Sequence, residues 1–342
     1  MVVSLKHPRV KELSFQKLLT QRIGEMDLRP ADTLRACLIQ LRHELKQRHI
    51  SFYPHFYFGE EPWGCIDRTA SVEIPFYLAN NPLRRVSERY FLSYSKKEIM
   101  MILRHETGHA LNYAYKLWKR KEWEYLFGKF QKKYRTFYSH DSHSKDFVRY
   151  LHYIGNPHYA QKHPDEDFAE TFSVWLDPAS KWKWHYRDWK GALEKIRYVD
   201  HVFRRERVAE RRPLKVRTVE KEPFREITAT VAEYFEIEKK IDPRLKEYAQ
   251  DLKEIFSGVS PRTRRFIRAD LFIQNYCDYL EEELVTWIAG ADRRDVRRYL
   301  RELQTICALN NLRVHPDQAT EKLVELVIVS TYHCLTRLRR LR

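Results

Sequence analysis

The chain has 342 residues, of which 43% are hydrophobic and 14% aromatic, and it carries a formal net charge of +16. This apolar content suffices for a sizeable core in one large domain or two smaller ones, which excludes a disordered polar chain. No run reaches the roughly 18 apolar residues of a membrane span, and the segment after Met1 has no apolar signal core, so we expect a cytoplasmic protein without membrane association.

Two amphipathic helices are predicted at the start of the chain, over residues 8–24 and 31–50. Their apolar residues recur at helical spacing, and Asp32 with Thr33 offers a start signal to the second helix. The composition changes in residues 51–80, where aromatic and β-branched residues occur among Pro and Gly. This pattern predicts short strands and turns.

Residues 105–109 read His-Glu-Thr-Gly-His inside a predicted helix over residues 98–118. Positions i and i+4 lie on one face of an α-helix, roughly 5–6 Å apart at Cβ, so His105 and His109 can share one tetrahedral Zn²⁺. Glu106 follows the first ligand directly and can take a proton from a water at the metal. Gly108 leaves room for a crossing chain near the metal, although a tolerated surface glycine gives the same pattern.

A third ligand is predicted on a second helix, over residues 163–176. Pro164 suits a first helical turn, and three carboxylates follow where the helix dipole favours them. Glu166 and Glu170 are four residues apart and share one face, so one can bind zinc while the other accepts a hydrogen bond from a ligand histidine. Spacing alone permits either order, and ordinary acidity at a helix N-terminus is the competing explanation.

Several sequence blocks resemble the bacterial zinc-binding metallopeptidase family, namely residues 74–79, 103–110, 126–128 and 159–172. The resemblance covers at least residues 70–200. The pattern Glu-x-x-Ala-Glu after His-Glu-x-Gly-His is similar to the gluzincin arrangement of the anthrax lethal-factor type. This resemblance implies that Glu166 binds zinc and that Glu170 supports a ligand histidine. It also implies that Tyr159 assists the oxyanion, and neighbouring His158 is the alternative donor.

The resemblance further implies an α+β, zincin-like fold in which a small antiparallel sheet lies beside the metal helix. Residues 74–77 are the predicted edge strand of that sheet. Pro75 is tolerated on an edge strand, and such an edge can pair with an extended peptide. An ordinary loop that closes the domain is the alternative interpretation of this segment.

A mostly helical C-terminal region is predicted over residues 211–342, after a metallopeptidase domain over residues 1–210. The boundary falls in a polar stretch that contains Pro213 and Pro223. Apolar residues recur at helical spacing from about residue 226 onward. We find no catalytic constellation there, so we expect a structural or partner-binding unit, for example a cover over the active-site cleft.

Basic residues cluster within residues 204–215, 293–301 and 337–342. Such an excess suits nucleic acid, an anionic surface or an acidic partner. Solvated helix faces explain it without a partner, and we favour that interpretation because no nucleic-acid reading motif accompanies the clusters.

The sequence therefore predicts a zinc-dependent metallopeptidase with one Zn²⁺ per chain and a peptide or protein substrate. His105, His109 and Glu166 hold the metal and leave one position for water. Glu106 moves the proton, and Tyr159 stabilises the oxyanion. A zinc amidohydrolase on a non-peptide amide is the first alternative, because its chemistry is the same. The second is a basic, nucleic-acid-associated protein with a structural zinc, which would require a fourth protein ligand that the sequence does not recommend.

Overall fold

Helices make up most of the described chain, with short strands between them. The computed structural model describes residues 15–60, 63–90, 93–135, 138–151, 154, 158–213, 216–235, 237, 245–258, 266–288, 291 and 293–339. The α-helices are α1 (Phe15–Leu19), α2 (Asp32–Gln47), α3 (Asn81–Tyr90), α4 (Lys96–Ala114), α5 (Lys121–Phe127), α6 (Pro164–Leu176), α7 (Trp182–His185), α8 (Lys190–Asp200), α9 (Val231–Tyr234), α10 (Leu245–Ile255), α11 (Ala269–Asn275), α12 (Cys277–Trp287), α13 (Arg293–Leu309) and α14 (Ala319–Arg339). The strands are β1 (His55–Gly59), β2 (Gly64–Cys65), β3 (Ser71–Pro75), β4 (Ser257–Gly258), β5 (Ile267–Arg268) and β6 (Leu312–Val314). The fold is therefore α+β, as predicted, and helices predominate in it.

Short helical turns complete the described elements. The 3-10 helices are Ile23–Glu25, Phe76–Leu78, Leu117–Lys119, Tyr159–Gln161, Phe224–Glu226 and Pro316–Gln318, and a π-helix covers His201–Arg205. Residues 8–14 of the first predicted helix lie outside the described residues. Across the described ranges, every helix is too short or too polar to cross a membrane.

Helix α4, which carries the His-Glu-Thr-Gly-His pattern, begins at a capping box. The Ser95 Oγ accepts a hydrogen bond from the Glu98 backbone N–H at 3.2 Å, and the Glu98 carboxylate accepts one from the Ser95 N–H at 2.7 Å. These two bonds satisfy N–H groups that the start of a helix otherwise leaves without partners. The start of α4 is therefore set by residues within one turn.

Helix α6, which carries Glu166 and Glu170, begins after His163. The His163 Nδ1 accepts a hydrogen bond from the Asp165 backbone N–H at 3.1 Å, and its Nε2 donates to the Lys132 carbonyl at 2.8 Å. Pro164 occupies the first turn, as predicted. All 13 residues of α6 are buried, so this helix runs through the interior of the domain.

Helices α4 and α6 cross in close contact at Gly108. A Cβ on Gly108 would lie 2.9 Å from the Ala169 Cα, 3.2 Å from the Ala169 carbonyl oxygen and 3.2 Å from the Phe172 ring. The nearest atoms belong to backbone, so no flexible side chain can yield to the added group. The crossing chain expected at this glycine is α6, and the contact brings together the candidate ligands of two helices.

We expect Gly108→Ala to destabilise the protein by about 1–3 kcal/mol, the usual effect of an extra methyl group in a packed interior. The helix preference of alanine, about 1 kcal/mol, acts in the opposite direction without removing the clash. The free energy of unfolding in urea measures the effect. Gly64→Ala is the matched control, because a Cβ at Gly64 meets no atom within 4 Å. Equal stability of the two variants would contradict the close crossing.

The first sheet has the strand order β1-β3-β2, so β3 is its central strand. Strand β1 pairs with β3 in parallel and β2 pairs with it antiparallel, so the sheet is mixed and the predicted antiparallel sheet is wrong. The predicted edge strand over residues 74–77 is also wrong, because Ile74 and Pro75 end the central strand and a 3-10 helix follows. Pro75 is accommodated because it is the last paired residue of β3, where few ladder bonds are required.

The buried apolar side chains form two clusters. The first draws on residues 18–235 together with Leu271, and the second on residues 248–334. Ile227 and Val231 follow the predicted domain boundary at residue 210, and both belong to the first cluster. The chain changes from one core to the other between residues 235 and 248. The second core includes a small antiparallel sheet of order β4-β6-β5 that the sequence did not predict.

Candidate metal centre

Three candidate ligand atoms converge where α4 meets α6. The Glu166 Oε2 lies 2.9 Å from the His105 Nε2 and 3.1 Å from the His109 Nε2, and the two Nε2 atoms are 3.1 Å apart. Ligands about 2.0–2.1 Å from a tetrahedral zinc are about 3.3 Å from one another, so the set fits such an ion after a small expansion. In the part of the chain that the structure describes, this is the group of three suited to a metal.

The other ring nitrogen of each imidazole faces a carboxylate. The His105 Nδ1 lies 3.2 Å from the Glu170 Oε1, and the His109 Nδ1 lies 2.8 Å from the Asp165 Oδ2. A proton on each Nδ1 satisfies these contacts and leaves the Nε2 lone pairs directed at the shared point. Such carboxylate–histidine pairs orient metal ligands and increase their basicity.

The Glu170 carboxylate lies behind His105, and both of its oxygens have hydrogen-bond partners. Its Oε2 accepts hydrogen bonds from the backbone N–H groups of Tyr150 at 2.9 Å and Leu151 at 3.0 Å, and its relative exposure is 0%. Glu166 lies instead between the two Nε2 atoms. The structure thus places the Glu166 carboxylate between the two Nε2 atoms and the Glu170 carboxylate behind His105, an order that residue spacing left open.

Sequence reasoning missed Asp165 as the partner of His109. Its Oδ1 accepts a hydrogen bond from the Asn112 Nδ2 at 2.7 Å, and its Oδ2 accepts one from the Tyr113 hydroxyl. Asp165 therefore has a partner for each oxygen in addition to the imidazole. The sequence feature that could have indicated a buried polar partner here is Asn112, a polar residue three positions after His109 on the same buried helix face.

A buried charge network supports the site from the side of α2. The Arg104 guanidinium donates to the Glu44 carboxylate at 2.7 Å, to Asp177 at 2.9 Å and to the Tyr150 hydroxyl at 2.8 Å. The backbone N–H of Tyr150 in turn holds Glu170. This network was also missed, and the sequence feature that pointed to it was an arginine directly before His105, after the apolar run of residues 99–103.

The electrostatics of the site favour added positive charge. Burial lowers the pKa of His105, but hydrogen bonds to Glu166 and Glu170 outweigh burial and raise that pKa to about 9. Burial lowers the pKa of His109, but Asp165 and Glu166 raise it well above its usual range. Burial raises the pKa of Glu166, but the two imidazoles lower it to about 2. Positive charge therefore stabilises the buried carboxylates, and either protons on the imidazoles or a divalent ion can supply it.

Glu106 lies beside the convergence point and lines the cleft in front of it. Burial and the charge of Glu166 raise its pKa above the ordinary value for a glutamate, against the opposing effect of the two imidazoles. A backbone hydrogen bond from Cys65 in β2 also reaches its carboxylate. A raised pKa suits a carboxylate that takes up a proton and gives it back.

Tyr159 also lines the cleft, and its ring centroid lies 5.6 Å from that of His105. Burial and the charge of Glu106 raise the pKa of Tyr159, which therefore stays protonated and able to donate. His158, the alternative donor, lies outside the cleft lining. It stacks on His140 with 4.4 Å between ring centroids, and its Nε2 is 3.6 Å from the Asp317 Oδ1.

The cleft has a volume of about 600 Å³. Strand β2 lines the cleft together with the following turn at Asp67 and Arg68. A second segment also lines it, with Phe130, Gln131, Lys132 and Tyr134. Strand β2 lies at the edge of the first sheet, so the sheet edge at the candidate metal centre is β2 and not the predicted segment over residues 74–77.

A scan against protein-family models and searches of curated proteins and of solved structures found no match to this chain. The functional interpretation therefore depends on the geometry and chemistry of the site.

Proposed function

We propose that the protein is a zinc-dependent metallopeptidase of the gluzincin type, with one Zn²⁺ held by His105, His109 and Glu166. The observation that carries this proposal is the convergence of three ligand atoms within 2.9–3.1 Å, with a carboxylate behind each imidazole. Three protein ligands and one open position are typical of catalytic zinc, whereas structural zinc normally has four protein ligands. The resemblance to bacterial zinc-binding metallopeptidases and a zincin-like fold are parts of the same proposal.

A bound Zn²⁺ would polarise the substrate carbonyl and lower the pKa of a water toward about 7. Glu106 accepts a proton from the attacking water and later passes it to the leaving amine. Its place next to His105 on α4 and its raised pKa support this assignment. Tyr159 donates a hydrogen bond to the oxygen that becomes negative as the carbonyl is attacked.

The substrate in this proposal is an extended peptide that pairs with strand β2. Edge strands bind peptides through backbone hydrogen bonds, which require no particular side chain. Strand β2 is an edge strand, it lines the cleft, and the amide of Cys65 reaches Glu106. A peptide on this edge would therefore pass in front of the candidate general base.

The test is cleavage of a peptide library by the zinc-loaded full chain, followed by mass spectrometry. We expect cleavage that a chelator removes and added zinc restores. A zinc-loaded protein that leaves every peptide intact would overturn the proposal. Hydrolysis of non-peptide amides alone would favour the amidohydrolase. Salt-dependent binding to nucleic acid without hydrolysis would favour the nucleic-acid-associated protein.

We expect Glu170→Ala to weaken zinc binding by roughly 10–100-fold, the usual effect of losing a partner behind a ligand histidine. The reason is the contact between Glu170 and the His105 Nδ1 at 3.2 Å. A competition titration with a coloured chelator measures the affinity. Glu170→Gln is the control, because it keeps an acceptor for the Tyr150 and Leu151 N–H groups and removes the charge. Unchanged zinc affinity in both variants would show that Glu170 does not support the imidazole.

A further inference from the structure

A lysine is held beside Tyr159 between two aromatic rings. Lys162 follows the short helix that starts at Tyr159, and its Nζ lies 4.8 Å from the centroid of the Tyr159 ring and 4.7 Å from that of Tyr134. Its Nζ also lies 3.4 Å from the Tyr159 hydroxyl oxygen. Lysine side chains usually extend into solvent, so this half-buried position between two rings is a specific placement.

The charges of two carboxylates on other elements act on this lysine. They are Glu106 on α4 and Asp278 on α12, and both favour the ammonium form. Burial opposes them and lowers the pKa of Lys162 to about 8. The side chain is therefore largely charged at neutral pH. Asp278 belongs to the C-terminal region, which the sequence suggested as a cover over the cleft.

The direction of the hydrogen bond between Lys162 and Tyr159 follows from chemistry. An ammonium group can only donate, so the Tyr159 oxygen is the acceptor and its own proton must point elsewhere. Because Tyr159 lines the cleft, that proton is available to a group in the cleft. A positive charge at the phenol oxygen also makes its O–H a stronger donor to a negative oxygen.

We propose that Lys162 is the positioning residue of Tyr159, and that its ammonium turns the phenol proton into the cleft for the developing oxyanion. This inference rests on the proposed function, because it assigns Tyr159 the role of oxyanion donor. It adds a residue that the sequence motifs do not contain. The competing role for Lys162 is direct contact with the substrate, and the two roles predict different kinetics.

The first test is steady-state kinetics with a peptide that the zinc-loaded protein cleaves. We expect Tyr159→Phe to lower kcat by about 10²–10³-fold, as for the loss of one oxyanion donor. Lys162→Met should lower kcat by about tenfold with little change in KM, because the interaction develops in the transition state. Lys162→Arg keeps the charge and should recover part of this loss. In the Tyr159→Phe background, Lys162→Met should have no further effect.

The pH profile provides a separate signature. The ammonium is the active form in this proposal, so kcat of the wild-type protein should decline as pH rises through about 8, the pKa of Lys162. Lys162→Met should remove this decline. Lys119→Met is the matched control, because Lys119 also lies over an aromatic ring at 5.1 Å, but that ring belongs to Trp118, which does not line the cleft. It should leave kcat, KM and the pH profile unchanged.

A second measurement does not depend on activity. We would incorporate 3-fluorotyrosine and assign the Tyr159 ¹⁹F resonance by its absence in Tyr159→Phe. Lys162→Met should shift this resonance, whereas Lys119→Met should not. An unshifted resonance would overturn the inference whether or not any peptide is cleaved. A higher KM with unchanged kcat, or independent effects of Lys162→Met and Tyr159→Phe, would also overturn it while leaving the proposed peptidase intact.

Discussion

Glu106→Gln should bind zinc and fold as the wild-type protein does, but hydrolyse peptides at least about 10²–10⁴-fold more slowly, the usual contribution of a general base. Glutamine has nearly the same size as glutamate and still accepts the Cys65 hydrogen bond through its amide oxygen. It cannot take up a proton at neutral pH. The variant therefore isolates proton transfer from metal binding and packing.

The measurement compares kcat of variant and wild type at equal zinc content, with circular dichroism as a check of folding. Glu124→Gln in α5 is the matched control, because Glu124 is exposed and does not line the cleft. It should keep full activity. Near-normal turnover in zinc-loaded Glu106→Gln would end the proposed mechanism, in which Glu106 moves the proton.

Glu166→Ala should lose the metal almost completely, with more than the roughly 10–100-fold weakening expected for a supporting residue. The Glu166 Oε2 lies 2.9 Å from the His105 Nε2 and 3.1 Å from the His109 Nε2, so its removal takes away one of three ligand atoms. The two imidazoles would remain as an incomplete site. Elemental analysis after exhaustive dialysis measures the zinc content.

The zinc affinity of Glu170→Ala is the comparison for this result, because it should lie between those of wild type and Glu166→Ala. If Glu166 is the ligand, zinc affinity should decrease from wild type to Glu170→Ala and decrease further in Glu166→Ala. The reverse order would exchange the roles of the two glutamates. A metal-bound structure with the Glu170 carboxylate about 2.0–2.2 Å from zinc would have the same consequence. Unchanged zinc content in Glu166→Ala would remove this residue from the ligand set.

The helices that carry the site were predictable from local sequence. The spacing of His105 and His109 already places them on one helix face, because the helical repeat depends only on neighbouring residues. Pro164 and the carboxylates after it predicted the start of α6 for the same reason. The helical character of the C-terminal region was predictable in the same way, from the period of its apolar residues.

The strand order of the first sheet was not predictable from local sequence. Residues 71–75 were correctly assigned to a strand region, but their partners come from residues 55–59 and 64–65. Which strand lies in the centre depends on pairing between segments that are distant in the chain. Pro75 favoured an edge position in the sequence, yet at the end of a fully buried strand it is compatible with the centre.

The sequence by itself determined the two helices and the residue types that their faces present to each other. The tertiary structure alone decided which carboxylate faces which nitrogen. The contact between Gly108 and Ala169 sets the rotation of α6 against α4, and this rotation directs Glu166 to the centre, Glu170 to His105 and Asp165 to His109. Residue spacing is the same for every rotation of a helix about its axis, and only packing against a second helix selects one of them.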